Sequence, residues 1–319
     1  MRDIVSSPPG DRDEELCARA AWLYYGAGLT QGEVAKRLSV PSVKAHRLVA
    51  RANRLGLVHV SIDAPIAACI ELEDALRSRF NLDQCVVAPD IDDDQLPLRS
   101  LGFAGGRFLR LAIESRVHAA IGVGHGRTLA ACVGQLPRMN VPNLKLVSLL
   151  GGMTRRYVTT PFDVIHRLAE RTNATAYVLP LPFLANTVED RTVLLEQRGV
   201  ADVFELGVES TLRLVGIGAI NDDASILSTG LVEKDEFEEA RNLGAVGEVL
   251  GHLFSARGDL IDTGVSARVL SMAATDIGRR PTVAVAGGKP KIDAIGGVLA
   301  SGLLRGLITD EQTARALAS

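Results

Sequence analysis

Two groups of residues in this chain have the types and spacing to do chemistry. The first is a cluster of cations between residues 31 and 60. Lys36, Arg37, Lys44, Arg47, Arg51 and Arg54 face Glu33 alone there, so the segment carries +5 in a chain of net charge −3, and the remainder carries −8. If residues 42–55 form a helix with Ala45 and Leu48 turned inward, then Ser42, Lys44, His46, Arg47 and Arg51 point outward. Arg and Lys reach guanine edges or phosphates, and Ser and His donate to either, which is the chemistry of a DNA groove. A lone basic helix is more simply a solvated face, so the expectation depends on the elements around it.

The second group is three glycine turns. IGVGHGRT, residues 121–128, places Gly122, Gly124 and Gly126 before a helix whose first amides belong to Arg127 and Thr128. Glycines permit close backbone approach, and a helix N-terminus favours an anion such as phosphate. His125 is the polar side chain within that loop. SLLGGMT at 148–154 and AVAGGKPKIDAI at 284–295 also end apolar runs in two glycines, the latter placing Lys289 and Lys291 at the start of a helix. One such turn alone is most simply structural. Three converging on one crevice would offer amides and cations to a polyhydroxylated, phosphorylated or unphosphorylated, small molecule.

The elements that must position these residues follow from periodicity and caps. Residues 1–12, with two prolines and a glycine, read as a flexible tail. A helix over 13–25 carries Leu16, Ala20, Leu23 and Tyr24 on one face. Thr30 with Glu33 three residues on is a capping box for a helix over 31–38. A tight turn through Ser39, Val40 and Pro41 leads into 42–55, and a short strand or wing is expected over 57–62. Two short helices joined by a tight turn let the second enter a major groove while the first crosses the backbone. The helix-turn-helix domain is thus placed at 13–62, followed by a linker helix within 63–82, an amphipathic segment with Ile70, Leu72, Leu76 and Phe80. That helix is as consistent with packing on the body as with pairing subunits.

From residue 83 to 319 short apolar runs alternate with helical stretches. Strands are expected at 84–88, 119–123, 144–149, 175–179, 212–217 and 282–286, and helices at 102–115, 128–136, 162–171, 188–197 and 291–301. Such alternation predicts a doubly wound α/β domain with a mostly parallel sheet, where ligands bind at the carboxyl ends of the strands.

Other chemistries find little support. IGVGHGRT is not G-x-G-x-x-G, since Arg127 stands at the third glycine, and no Walker loop occurs. Cys17, Cys69, Cys85 and Cys132 are separated by 52, 16 and 47 positions, which fits neither a disulfide framework nor a metal knuckle. No histidine lies in a metal spacing, Ser148 lacks a nucleophile elbow, and Asp222, Asp223 and the acidic run at 92–94 read as turn caps or solvated surface. No metal or cofactor is expected. With no apolar leader and no stretch of 18 apolar residues, the expected location is the cytoplasm.

Several segments together resemble one family. LTQGEVAKRLSVPSVKAHRLVARANRLGLV near the N-terminus, GVGHGRTL, the LLGG turn, GEVLGHLFSARGDLIDT and the ending AGGKPKIDAIGGVLASGLLRGLITDEQTARALAS are similar to the SorC-family sugar-binding transcriptional regulators. PSVKAHRL, VAPDI and LANTVEDR look most like repressors of erythritol or related polyol catabolic operons. The resemblance spans about residues 13–319. It implies a helix-turn-helix followed by an effector domain related to sugar-phosphate isomerases, in a homotetramer or dimer of dimers that leaves operator DNA when a polyol or sugar phosphate binds. By the same resemblance, Gly126, Arg127 and Thr128 form the phosphate-facing loop, Lys291 is the lysine of the last glycine motif, and Asp163 and Glu248 lie near effector contacts. Gly124 and His125 complete the expected effector set. The competing class is a sugar-phosphate isomerase or deaminase, which the basic module and the lack of an evident acid-base pair disfavour.

Overall fold

In the computed structural model the described residues are 9–58, 66–91, 96–153, 163–222, 224 and 230–319. The chain divides into two units, Met1–Asp63 and Ala64–Ser319. In the first, α1 (Pro9–Ala21) runs into a π turn at Trp22–Gly26, followed by α2 (Gln31–Leu38) and α3 (Ser42–Arg54). The helix therefore begins inside the segment read as tail, because the fixed φ of Pro9 suits a first helical turn whose N–H groups need no partner. Residues 1–8 lie outside the described ones.

The core of this unit is built from small side chains. Ala20, Ala35, Ala45 and Ala52 are buried with Cys17, Val34, Leu48 and Val49, so three short helices approach closely. Thr30 and Glu33 form the capping box: the Glu33 amide donates to Thr30 Oγ1 at 3.4 Å, and Glu33 Oε2 accepts from the Thr30 amide at 2.8 Å. Ser39 ends α2 in the left-handed region at φ 54°. Pro41 precedes α3 in extended conformation, and its carbonyl accepts from Ala45 N at 3.0 Å. Most of the strand or wing expected over 57–62 falls outside the described residues.

The second unit opens with α4 (Ala67–Phe80), which buries Cys69 and Leu76 and packs on β1 (Gln84–Ala88). The segment read as a linker thus belongs by its packing to this unit, with Ile66 and Ile70 left exposed on it. There follow α5 (Leu98–Glu114), β2 (Ala120–Val123), α6 (Arg127–Gly134), β3 (Lys145–Ser148), α7 (Val164–Thr172), β4 (Thr175–Tyr177), α8 (Val188–Leu195), α9 (Val200–Glu209), β5 (Leu212–Val215) and β6 (Gly218–Ala219). The chain continues through α10 (Lys234–Asn242), β7 (Ala245–Val249), β8 (His252–Ser255), β9 (Leu260–Ile261), α11 (Ala274–Ile277), β10 (Thr282–Val285), α12 (Ile292–Ala300), β11 (Gly306–Asp310) and α13 (Glu311–Ala318).

Seven strands form one sheet in the order β1-β11-β10-β5-β2-β3-β4. Every pairing in it is parallel. Two large apolar clusters cover it, one built with α5, α6 and α7 and the other with α4, α12 and α13. This is the doubly wound α/β architecture that the alternation predicts. The sheet grows from β2 through β3 to β4 in one direction, then resumes on the other side of β2 with β5, β10 and β11. The switch of direction opens a crevice at the carboxyl ends of β2 and β5.

A second sheet, antiparallel in the order β6-β7-β8-β9, was not expected, and neither were β11, α9, α10 and α13. Its strands are two to five residues long, too short to carry a periodicity of their own. β5 also holds a buried arginine. The Arg213 guanidinium donates to the carbonyls of Gly207 at 3.1 Å, Asp276 at 2.7 Å and Ile277 at 3.3 Å, and to that of Val208. These carbonyls lie in the last turns of α9 and α11, where the helix dipoles offset a buried cation. Burial holds its pKa below the ordinary arginine value.

Ser39 pays a left-handed penalty that glycine avoids, and its side chain is exposed. Ser39→Gly should therefore stabilise the first unit by about 0.5–1 kcal/mol, read as a higher urea midpoint with unchanged slope. A lower midpoint would show that the Ser39 side chain contributes more than its backbone costs.

Candidate functional sites

On α3 the buried face is Ala45, Leu48, Val49 and Ala52, and the expected outward set, Ser42, Lys44, His46, Arg47 and Arg51, is exposed throughout. Lys36 and Arg37 of α2 are exposed as well. The placement of Arg51 differs from a free cation, since its Nη1 lies 3.1 Å from Asp13 Oδ2 on α1. Both side chains are solvated, so the pair contributes roughly 0.2–1 kcal/mol and exchanges readily. Val43 was not among the expected residues, yet it is 65% exposed at the start of α3.

In the second unit a cleft of about 490 Å³ lies at the carboxyl ends of the strands. It draws His125 and Arg127 from beyond β2, Leu150 and Met153 from beyond β3, the Gly216–Ala219 stretch from beyond β5, and Lys291 from beyond β10. Glu248 enters from β7, with Leu250 and Gly251 behind it. Four of the eight expected effector residues, His125, Arg127, Glu248 and Lys291, are thus brought together across 167 positions of sequence.

Their electrostatics are those of charges partly withdrawn from water. Lys291 Nζ donates to the Ile217 carbonyl at 2.6 Å. Burial pushes its pKa down to about 8, with Glu248 opposing and Arg127 adding to the fall. Glu248 Oε2 accepts from the Gly251 amide at 2.9 Å, and the Gly218 amide also bonds the carboxylate. Burial raises the Glu248 pKa against those amides and Lys291. A side chain at Gly218 would strike Glu248 Oε1, so the glycine is needed for this seat. Burial lowers the pKa of His125, with Asp163 opposing, so its imidazole is neutral at pH 7 and both donates and accepts. A cation at the start of α6, an ammonium, a carboxylate and a neutral imidazole against an apolar wall of Leu150, Met153, Phe183 and Leu250 suit a small molecule with hydroxyls and an anionic or strongly polar end.

The other four expected residues do different work. The Gly124 amide donates to the Leu214 carbonyl at 2.8 Å within the sheet, and Thr128 is buried in α6. Gly126 precedes α6 at φ 129°, a conformation that favours glycine, and provides no side-chain cap for the first-turn amides of that helix. Asp163 caps α7, accepting from His166 N at 3.3 Å and bonding His166 Nδ1 at 2.7 Å. The other two glycine turns converge on the cleft, but their amides are spent inside the protein. Gly151 N donates to Leu270 O at 2.9 Å and Gly152 N to Leu181 O at 2.7 Å, while Gly288 N donates to Asp310 Oδ2 and Thr313 Oγ1. Lys289 is exposed and does not line the cleft.

The sequence reading missed Asn221 and Phe183, which line the cleft from loops without any motif. His118 bonds Thr211 and His252 bonds the Met272 carbonyl, both structural, and Ser148 Oγ donates to the Leu150 carbonyl. Asp222 pairs with Arg241 at 2.8 Å. His59, Asp223 and residues 92–94 lie outside the described residues. All four cysteines are buried and unpaired, and burial pushes Cys85 and Cys132 up to about 12. Among the described residues no group of side chains has a metal-binding arrangement, and no helix is long and apolar enough to cross a membrane.

Comparison with known proteins adds to this geometry. Residues 64–319 match the family described as "Putative sugar-binding domain". The chain is 52% identical to the erythritol catabolism regulatory protein EryD of Brucella abortus (strain 2308), covering 96% of this chain and 97% of that one. It is 32% identical to the transcriptional regulator LsrR of Enterobacter sp. (strain 638), covering 96% and 93%. Its fold matches the full-length sorbitol operon regulator SorC from Klebsiella pneumoniae with a TM-score of 0.72 at 23% identity, over 98% of this chain and 100% of that one. These relatives are named as regulators, against the isomerase or deaminase alternative.

The buried ammonium makes a signed prediction. Between about pH 8 and the ordinary lysine value of 10.5 the unfolded chain holds a proton that folded Lys291 has lost. Stability therefore rises with pH across that window, by at most ~1.4 kcal/mol per pH unit. Urea unfolding at about pH 8 and about pH 10 should show the wild type gaining on Lys291→Met as pH rises. A constant difference would mean that the ammonium stays hydrated.

Proposed function

The chain belongs to the SorC family of sugar-binding transcriptional regulators, and from that premise we propose that it represses a polyol catabolic operon and leaves its operator when a polyol or its phosphate enters the cleft. The observation that carries this reading is the meeting of His125, Arg127, Glu248 and Lys291 at the switch point of the sheet. Its support in kinship is the 52% identity to a protein named for erythritol catabolism. Arg127 and the first amides of α6 suit the more anionic end of the ligand, Lys291 and Glu248 suit its hydroxyls, and His125 donates or accepts between them.

The first unit is the DNA-binding domain in this reading. α2 crosses the phosphate backbone, α3 enters the major groove, and Ser42, His46 and Arg47 meet base edges while Lys44 and Arg51 lie nearer phosphate. Arg51 leaves Asp13 for a phosphate at small cost. One such unit reads one half-site, so a two-fold assembly, here a homotetramer, presents two at fixed spacing and gains effective concentration. Binding in the cleft alters operator affinity only if the ligand prefers one arrangement of the DNA-binding units, with a coupling of roughly 1–3 kcal/mol.

Two substitutions separate the sites. Arg47→Ala should weaken operator binding by about 1–3 kcal/mol and leave ligand-induced thermal stabilisation unchanged. Lys291→Ala should keep operator binding and lose the response to polyols and sugar phosphates. If Lys291→Ala still releases DNA at the wild-type inducer concentration, the effector site lies elsewhere. Light scattering at micromolar protein should show an oligomer, and a monomer with and without operator would remove the two-fold reading.

A further inference from the structure

We infer that Val43 reads a thymine methyl group in the major groove, giving α3 an apolar specificity contact ahead of its basic ones. This rests on the DNA-binding reading of the first unit. Along α3 the positions opposite the buried face follow helical spacing: Val43, then His46 and Arg47. Val43 stands at the leading end of that stripe, and the N-terminal residues of a recognition helix are those that reach base edges.

The core of the first unit makes no use of this valine. Its side chain is 65% exposed, whereas Val34, Leu48 and Val49 in the same unit are buried and Val40 is partly buried. A β-branched residue is a weak helix former, and the first turn of a helix favours Ser, Asp or Glu, none of which follows Ser42 there. The surroundings name the occupant. Six cations against one carboxylate in residues 31–60 suit a polyanion, and Lys44, His46 and Arg47 flank the valine. On the base edges of a major groove the apolar group on offer is the C5 methyl of thymine. A branched aliphatic side chain on the groove-facing stripe gains affinity there and loses it where the methyl is absent.

The test uses duplexes that the full-length protein itself enriches from a random pool. The enriched duplex is remade with deoxyuridine in place of each thymine in turn, which removes only the methyl group. Wild type should lose about three- to fivefold in affinity at one thymine of each half-site, the effect of one buried methyl. Val43→Ser should bind the thymine and deoxyuridine duplexes equally and Val43→Ala should show a smaller difference, since its shorter side chain reaches the methyl less fully, while Val43→Ile keeps the discrimination. Because the side chain is exposed, Val43→Ile and Val43→Ser should unfold close to the wild-type midpoint and Val43→Ala at or slightly above it, alanine being the better helix former; two small variants guard against one that does not fold. The inference is overturned if no thymine shows a methyl dependence, or if the dependence persists undiminished in both small variants. Failure of the protein to enrich any sequence would instead overturn the DNA-binding reading on which it rests.

Discussion

Parallel pairing of β2 with β5 is the constraint on which the second unit's capacity to hold a ligand depends, because the sheet changes its direction of growth there. Ile121 pairs with Leu212 and Val123 with Leu214, so both strands end at the same level and their exits diverge to opposite faces. The crevice between the exits is not filled by a crossover helix. His125 and Arg127 leave on one side and Gly216–Ala219 on the other, and β10, paired to β5, brings Lys291 to the same mouth. The small antiparallel sheet then closes the crevice by setting Glu248 against Gly218, its partner in the register.

Two buried cations in this unit solve the desolvation problem differently. Arg213 is withdrawn from water completely, and carbonyls at the ends of α9 and α11 take up its donors. That arrangement is closed and serves the fold, because satisfied donors have nothing to offer a ligand. Lys291 is half-buried, with one carbonyl at 2.6 Å and a carboxylate near enough to oppose the fall in its pKa. An ammonium has three donors, so the site retains capacity for hydroxyl or anionic oxygens. Glu248 is likewise fixed by two amides without being fully neutralised. Incomplete compensation destabilises the empty protein slightly and is what gives a ligand something to complete.

The first unit works by the opposite economy. Its core is made of alanines and a few branched residues, so little apolar area is buried and the helices are short. Local devices make up the difference: a capping box opens α2, a left-handed Ser39 ends it, and Pro41 sets the extended residue before α3. The result leaves the charged side chains of α3 outside, and the +5 of residues 31–60 is carried on the surface while the rest of the chain sums to −8. An acidic body repels a polyanion and a basic module attracts it, which orients any encounter with nucleic acid toward the module.

What the sequence determined by itself was whatever rests on neighbours a few residues apart. The Thr30–Glu33 box, the turn at Ser39 to Pro41, the inward Ala45 and Leu48 and the run Gln84–Ala88 are legible because caps and periodicity act within one or two turns of chain. The parallel sheet was legible from strand and helix alternation, Lys291 from the last glycine turn as well as from likeness to a family, and Glu248 from that likeness alone. Only the tertiary structure decided which glycine amides are taken up inside the protein, that of Gly124 among them, by Leu214. The amides of Gly151, Gly152 and Gly288 likewise go to Leu270, Leu181, Asp310 and Thr313, residues distant in the chain. It also decided that Asp163 caps a helix, that Arg51 meets Asp13 and that Arg213 is buried. The strands of the small sheet escaped the sequence because runs of two to five residues are stabilised by cross-strand partners and not by their own pattern.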